Sequence, residues 1–264
     1  MPTPSLPALE VPSWGEIPGL VQAFLGRAGG VSCGPYASLN VSFNVADTRE
    51  RVEENRGRVR AHVARGIELV TMTQVHGAAV AAVTGDARVG EADAMITTST
   101  GLGLCVLTAD CAPILLVAPR ARAVAVVHAG WRGTSAGVVR EAATRLVGLY
   151  GVRRSDIRAA IGPTIGACCY EVGGEIADEI EGRWGSMPGT LQRYERAGET
   201  KAKLDLREIN AMLLTAEGIA REHISTIGGC TCCNSHEYFS YRAASRLGGE
   251  GSTGRQLSII GWAA

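Results

Sequence analysis

The stretch LCVLTADCAPILL, residues 104–116, and its neighbour AVVHAGWRGT, residues 125–134, decide how this chain folds. Both are apolar runs bounded by turn residues and rich in β-branched side chains, so both read as strands. The link between them, Ala118-Pro119-Arg120-Ala121-Arg122, is short enough to make them a hairpin. A turn centred near Pro119–Arg120 places His128 opposite Cys111 to within a position or two. Directly opposed residues have Cβ atoms about 4.5–5.5 Å apart, close enough to share one metal ion. Pro113 and any bulge would shift that register.

Working outward, further short apolar runs lie at 68–75, 78–83, 94–97, 102–107, 157–161, 224–227 and 257–260. Their Gly, Pro and charged boundaries mark strands of a mostly antiparallel or mixed sheet. Residues 38–43 alternate like a strand after the Gly-rich opening of the 19–45 region. Residues 48–65 read as an amphipathic helix with Asp47 as its N-cap. A helix is expected from Gly133 to its stop at Gly151, and others near 173–184 and 206–217. The elements alternate without a regular βαβ rhythm, so the fold class is α+β. No internal repeat or long low-complexity linker divides the chain, which points to an extended segment over 1–18 and one catalytic domain over 19–264.

The 264 residues suffice for a sizeable core, and 46% hydrophobic with 20% charged is a globular composition. Lys plus Arg equals Asp plus Glu at 26 each. That balance removes the electrostatic case for a nucleic-acid or membrane partner. The first twenty residues carry five of the ten prolines and no basic segment followed by an apolar run, so they do not read as a signal peptide. No apolar stretch reaches membrane-spanning length, and the expectation is a cytoplasmic protein.

His76, in Thr73-Gln74-Val75-His76-Gly77, is the third candidate ligand beside Cys111 and His128. Two imidazoles and a thiolate with one open position suit a catalytic zinc. Copper suits it less: a multicopper site needs many histidines in H-x-H pairs, and there are five histidines with no such pair. The hairpin geometry equally allows a cysteine hydrolase with Cys111 as nucleophile and His128 as base, whereas the site-like strings weigh against a purely non-catalytic partner of cell-division or cell-wall proteins. Asp110 is the nearest carboxylate in sequence, with Asp93 and Glu171 as alternatives. Arg132 at the start of the Gly133 helix offers an anion cradle, and Arg27 in a Gly-rich segment offers another. Cys230, Cys232, Cys233 and His236 lack the separated pairs of a zinc knuckle, and Cys168-Cys169 would point oppositely on a strand, so all read as packing thiols.

The strings TQVHG, TADCAPILL, VHAGWRGT, IGPTIGACCYEVG, FSYR and TGRQLSII, with RAGGVSCGPYASLN near the start, closely resemble the YfiH-like laccase-domain family. The resemblance runs from about Phe24 to Ile260. It implies a single α/β sandwich with mixed, largely antiparallel sheets, and zinc held by His76, Cys111 and His128. It further implies phosphorolysis of adenosine, inosine, guanosine and methylthioadenosine, with deamination of adenosine, so that purine nucleosides and phosphate are the partners. On that reading Asp110 and Arg132 are catalytic, and Arg27, Asn40 and Gln74 bind substrate. The family's older description as copper-dependent polyphenol oxidases and a link to peptidoglycan-precursor amidase work are the alternatives. The departures lie in the segment 243–251, read as a long Gly-rich loop, and in the run Cys230–Cys233. They bear on substrate preference rather than on the metal site.

Overall fold

The hairpin around Pro119 forms: Ala112–Ala118 pairs antiparallel with Ala123–Ala129, Leu115 facing Val126 and Pro113 facing His128. A 3-10 turn over Pro119–Ala121 closes it, with Arg122 in the left-handed region at φ 46°. Proline is tolerated inside this ladder because the His128 N–H donates the other way, to Asp93 O at 2.8 Å. Every residue of both strands is buried. Burial on both faces explains why they are continuous apolar runs rather than alternating ones.

The structure, a computed structural model, describes residues 6–63, 66–85, 89–248 and 251–264. In chain order the elements begin β1 (Ala8–Leu9), β2 (Leu20–Leu25), α1 (Arg49–His62), β3 (Glu68–Val70), β4 (Val80–Ala82), β5 (Ala94–Thr97) and β6 (Leu102–Thr108). The hairpin supplies β7 (Ala112–Ala118) and β8 (Ala123–Ala129), followed by α2 (Trp131–Ala136), α3 (Val138–Tyr150) and β9 (Arg158–Ile161). The remainder is β10 (Glu171–Gly173), α4 (Gly174–Trp184), β11 (Leu191–Arg196), β12 (Glu199–Leu204), α5 (Leu206–Ala216), β13 (Ile224–Thr226), α6 (Tyr241–Arg246) and β14 (Gln256–Trp262). They build a six-stranded sheet β13-β9-β7-β8-β5-β4, a five-stranded sheet β1-β2-β14-β6-β3 and a small sheet β10-β12-β11. Pairing is mostly antiparallel, with parallel exceptions at β3–β6, β4–β5 and β9–β13.

The two large sheets face one another. Leu115, Val117, Val124 and Val126 from the hairpin meet Leu102, Leu104, Val106, Phe24, Ile260 and Trp262 in the layer between them. The opposite face of the hairpin, Ile114, Leu116, Ala125 and Val127, packs under α3, α4 and α5. The outer face of the five-stranded sheet is covered by Leu39, Val41 and Val59. Removing a side chain such as the fully buried Leu115 should cost about 2–5 kcal/mol.

Four local expectations are corrected. Residues 38–43 form no strand: Asn55 Nδ2 donates to Ser38 O and Asn40 O, so a buried side chain satisfies this backbone instead of a ladder. Asp47 is not the N-cap of α1; Thr48 holds that position without a side-chain cap bond. The Asp47 carboxylate instead accepts from Ser32 Oγ and Asn40 Nδ2. The expected helix after Gly133 starts earlier, at Trp131, and breaks in two at Gly137, φ 81°. There an added Cβ would lie 3.0 Å from the Trp184 ring. The segment 243–251 is not all loop, since α6 runs to Arg246; Gly249 and Glu250 lie outside the described residues, as do Ala64 and Arg65 at the expected end of the first helix.

Residues 6–18 pack on the sandwich. Ala8 and Leu9 pair with Leu25 and Phe24, and Val11 and Trp14 are buried in the inter-sheet layer.

Candidate metal centre

The apolar rows that fill the space between the sheets end together. On β8 the row Val124, Val126 continues to His128, and on β6 the row Leu102, Leu104, Val106 continues to Thr108. Polar side chains replace apolar ones at this end and a cavity of about 570 Å³ opens, lined by His76, Cys111, His128, Gln74, Asp110 and Arg132 among others. That is an ordinary size for a small-molecule site.

Cys111 sits one residue before β7, beside the hairpin ladder, two positions off the His128 pairing level. His76 arrives from the loop between β3 and β4 in the left-handed region, φ 62°. The ligand atoms of His76, Cys111 and His128 lie within 4.8 Å of one another. The two imidazoles meet edge to face, centroids 4.8 Å apart at 77°.

Asp93 holds this arrangement in place. Fully buried just ahead of β5, it extends the β5–β8 pairing of Ala94 with Val127 to stand beside His128. Its Oδ1 lies 2.8 Å from His128 Nδ1. A carboxylate only accepts, so the Nδ1 carries the proton and Nε2 keeps its lone pair for a metal. The same carboxylate accepts the backbone N–H groups of His76 at 2.9 Å, Gly77 at 2.6 Å and Val75 at 3.2 Å. The left-handed turn at His76 therefore wraps three amides around one carboxylate, an anion nest made by the ligand loop itself.

These side chains polarise one another strongly. Burial pushes the Cys111 thiol up, but the charge on His128 and hydrogen bonds from His128 and His76 outweigh it and bring it down to about 6. Burial pushes His128 down, yet the Cys111 thiolate and the Asp93 hydrogen bond raise it to about 9. For Asp93 burial works upward, and the bonds from His128 and Gly77 hold it below the usual carboxylate range. A borderline-soft transition ion takes a thiolate and neutral imidazoles, so binding at this set would displace the extra proton from His128. Gly130 makes room for them: an added Cβ would lie 3.0 Å from Cys111 Sγ and 3.2 Å from His76 Cδ2.

The family described as multi-copper polyphenol oxidoreductase laccase matches residues 21–263. The chain belongs to this laccase-domain family. It is 37% identical to "Purine nucleoside phosphorylase YlmD" of Geobacillus stearothermophilus over 92% of this chain and 90% of that one. To "Purine nucleoside phosphorylase YfiH" of Escherichia coli K12 it is 33% identical, over 96% and 98%. The crystal structure of YlmD superposes with a TM-score of 0.83 at 35% identity, over 94% of this chain and 93% of that one. The Bacillus licheniformis YfiH structure gives 0.86 at 30%, over 97% and 96%.

In this laccase-domain chain Gln74 lines the cavity and clamps β6, donating to Leu107 O and accepting from Leu107 N, both at 2.9 Å. Asp110 is turned toward the cavity by its positive φ of 99°. Its Oδ1 accepts from Thr231 Oγ1 at 2.6 Å and its Oδ2 from Arg242 N at 2.7 Å. Arg132 is exposed at the cavity mouth and stacks on Trp131 at 4.4 Å. Its helix α2 is one short piece of six residues, so the guanidinium, not a helix dipole, is what it offers an anion.

Arg27, Asn40 and Glu171 are not among the cavity's lining residues. Arg27 donates to Ala37 O and Ser235 O and lies over the Phe239 ring, which makes it a loop brace rather than an anion cradle. Asn40 is fully buried, tied to Ser42, Asp47 and Arg255 N. The Glu171 carboxylate is bound by Tyr194 and Arg196.

Sequence reasoning did not place Arg242, Arg255, Tyr170 or Tyr241 in the site, though all four line it. The strings FSYR, TGRQLSII and CCYEVG contain them, and only Tyr241-Arg242 carried a local signal, a cation beside an aromatic ring.

Proposed function

We propose that this protein is a zinc-dependent purine nucleoside phosphorylase acting on adenosine, inosine, guanosine and methylthioadenosine, and that it also deaminates adenosine. The observation that carries the reading is the convergence of His76, Cys111 and His128 on one cavity that also presents Arg132, Arg242 and Arg255. The names of relatives at similar length support it. A zinc ion held by the three donors would supply Lewis acidity and an activated water. The donor set supports zinc over a multicopper centre, because only two of the five histidines reach it.

The chain's own residues supply the remainder. Tyr170, Tyr241 and Trp131 offer flat apolar faces for a purine. Arg132 has no hydrogen-bond partner among the described residues and is free to take phosphate. Arg242 and Arg255 are tied to backbone carbonyls of Glu171 and Thr253 and instead set the positive wall of the cavity. Asp110 is the carboxylate of the site, since no other acidic residue lines the cavity among the described residues. Gln74 fixes the ligand loop against β6.

The test is product analysis with and without phosphate. Nucleoside cleavage to free base and ribose 1-phosphate should need phosphate, and deamination should not, because water is its nucleophile. Cys111→Ala should abolish both; cleavage that persists in it would overturn the shared site.

One arrangement favours a second reading. Asp93, His128 and Cys111 stand in line as orienter, base and activated thiol. A cysteine hydrolase built this way would work after complete removal of metal by a chelator, whereas the phosphorylase would not.

A further inference from the structure

A second group of sulfurs lies apart from the first site. Cys168 and Cys169 follow β9, and Cys230 and Cys233 follow β13; the ligand atoms of these four residues lie within 4.8 Å of one another. Cys233 Sγ is 3.5 Å from Cys168 Sγ and 3.4 Å from Cys169 Sγ. The sequence lacked a visible second half for the Cys230-Thr231-Cys232-Cys233 run. The vicinal pair is that half, brought from more than sixty residues away. Cys168 and Cys169 occupy a turn rather than a strand, so the alternation that would send their side chains apart does not apply.

We propose that Cys168, Cys169, Cys230 and Cys233 hold a second, structural zinc ion that ties the β9 and β13 loops together behind Asp110. Four thiolates at about 2.3 Å from an ion stand about 3.8 Å apart in a tetrahedron, close to the spacing seen. The separation of two of the ligands by two residues is the spacing of structural zinc sites, and all four positions are filled by protein, as in sites that stabilise rather than catalyse.

The surroundings fit a tetrathiolate, which carries a net charge of −2 once binding has released the thiol protons. Gly166 N–H donates to Cys230 Sγ at 3.2 Å. The Arg246 guanidinium is 3.7 Å from Cys169 Sγ and donates to Cys169 O, and Lys203 Nζ donates to Cys168 O. Such partners orient sulfur ligands and offset their charge.

The consequence reaches the first site. Thr164 Oγ1 on one of the tied loops donates to Asp110 O at 2.5 Å, and Thr231 Oγ1 on the other to Asp110 Oδ1 at 2.6 Å. The clamped loops thus hold the residue that precedes Cys111.

Elemental analysis of the full chain, purified under reducing conditions without added metal, should find two zinc ions. Cys111→Ala should keep one, because it leaves the four thiols intact, and cobalt exchanged into that variant should show the charge-transfer absorption of a tetrathiolate. Cys230→Ser with Cys233→Ser should keep one ion, the one at His76. Should that pair fail to fold, Cys111→Ala alone decides. A Cys111→Ala protein free of metal, or a disulfide among the four cysteines in the reduced preparation, would overturn the proposal.

Discussion

Replacing Asp93 by asparagine changes one oxygen into an NH2 group at the point where four hydrogen atoms converge. Oδ1 accepts from His76 N and His128 Nδ1, and Oδ2 from Gly77 N and Val75 N. An amide keeps only one accepting atom. If its nitrogen takes the Oδ2 place, the N–H groups of Val75 and Gly77 lose their acceptor. If it takes the Oδ1 place, the His76 N–H is unpaired, and His128 is driven to accept at Nδ1, which puts its proton on Nε2 where a metal needs a lone pair. These donors are only partly buried, so each one left unpaired costs toward the lower end of about 1–3 kcal/mol, and a pair about 2–3 kcal/mol. For a chain of this size that lowers Tm by at least about 4 °C. Losing the partner of a ligating histidine typically weakens metal binding about 10- to 100-fold. Chelator competition gives the zinc affinity and thermal unfolding the stability, with His76→Ala as a control that loses the ion but keeps the Asp93 bonds to backbone. Zinc affinity within twofold of the parent, with an unchanged Tm, would refute the role assigned to Asp93.

Gly130→Ala pushes a methyl group to 3.0 Å from Cys111 Sγ; zinc affinity should fall at least about tenfold on the same scale as a lost supporting contact, while far-ultraviolet circular dichroism stays the same, and unaltered affinity would show that the thiolate has room to spare. Arg132→Ala removes a charge-assisted bond to phosphate of about 1.5–3 kcal/mol, so KM for phosphate should rise roughly 10- to 150-fold. Deamination should stay within twofold, and equal loss of both reactions would remove any special role for this arginine. Arg27→Ala should lower Tm by several degrees, because Ala37 O and Ser235 O lose their donor, yet leave KM for phosphate alone; a raised KM would return Arg27 to the site.

The central hairpin was legible because burial on both faces writes itself as an unbroken apolar run with a proline turn between. Strands with one wet face were harder. The β11–β12 hairpin, LQRYER and ETKAKL, is charged and exposed along most of its length. Ala202 and Leu204 reach the core, with Leu191 packed against it, and its turn uses Ala197 at φ 54° with Gly198 instead of an Asn-Gly or Asp-Gly signal. Residues 38–43 failed in the opposite sense. Their alternation is real, but the fully buried Asn55 amide supplies the bonds that a neighbouring strand would have made.

The same distinction separates what the sequence reveals of the site from what it hides. His76, Cys111 and His128 announce themselves by residue type, and the last two by one local hairpin. Asp93 offers itself only as one alternative to Asp110, because its standing depends on the register of β5 against β8, strands joined through another sheet. Only that register puts a carboxylate beside His128, and only the left-handed turn at His76 brings three amides to the same group. One buried charge therefore fixes the ring of one ligand and the backbone of another, while Cys111 is referenced to both through the hairpin it shares with His128. A change at any of the three strand ends that moves Asp93 should accordingly disturb two ligands together, which is why the least visible residue of the centre is the one whose substitution tests it most sharply.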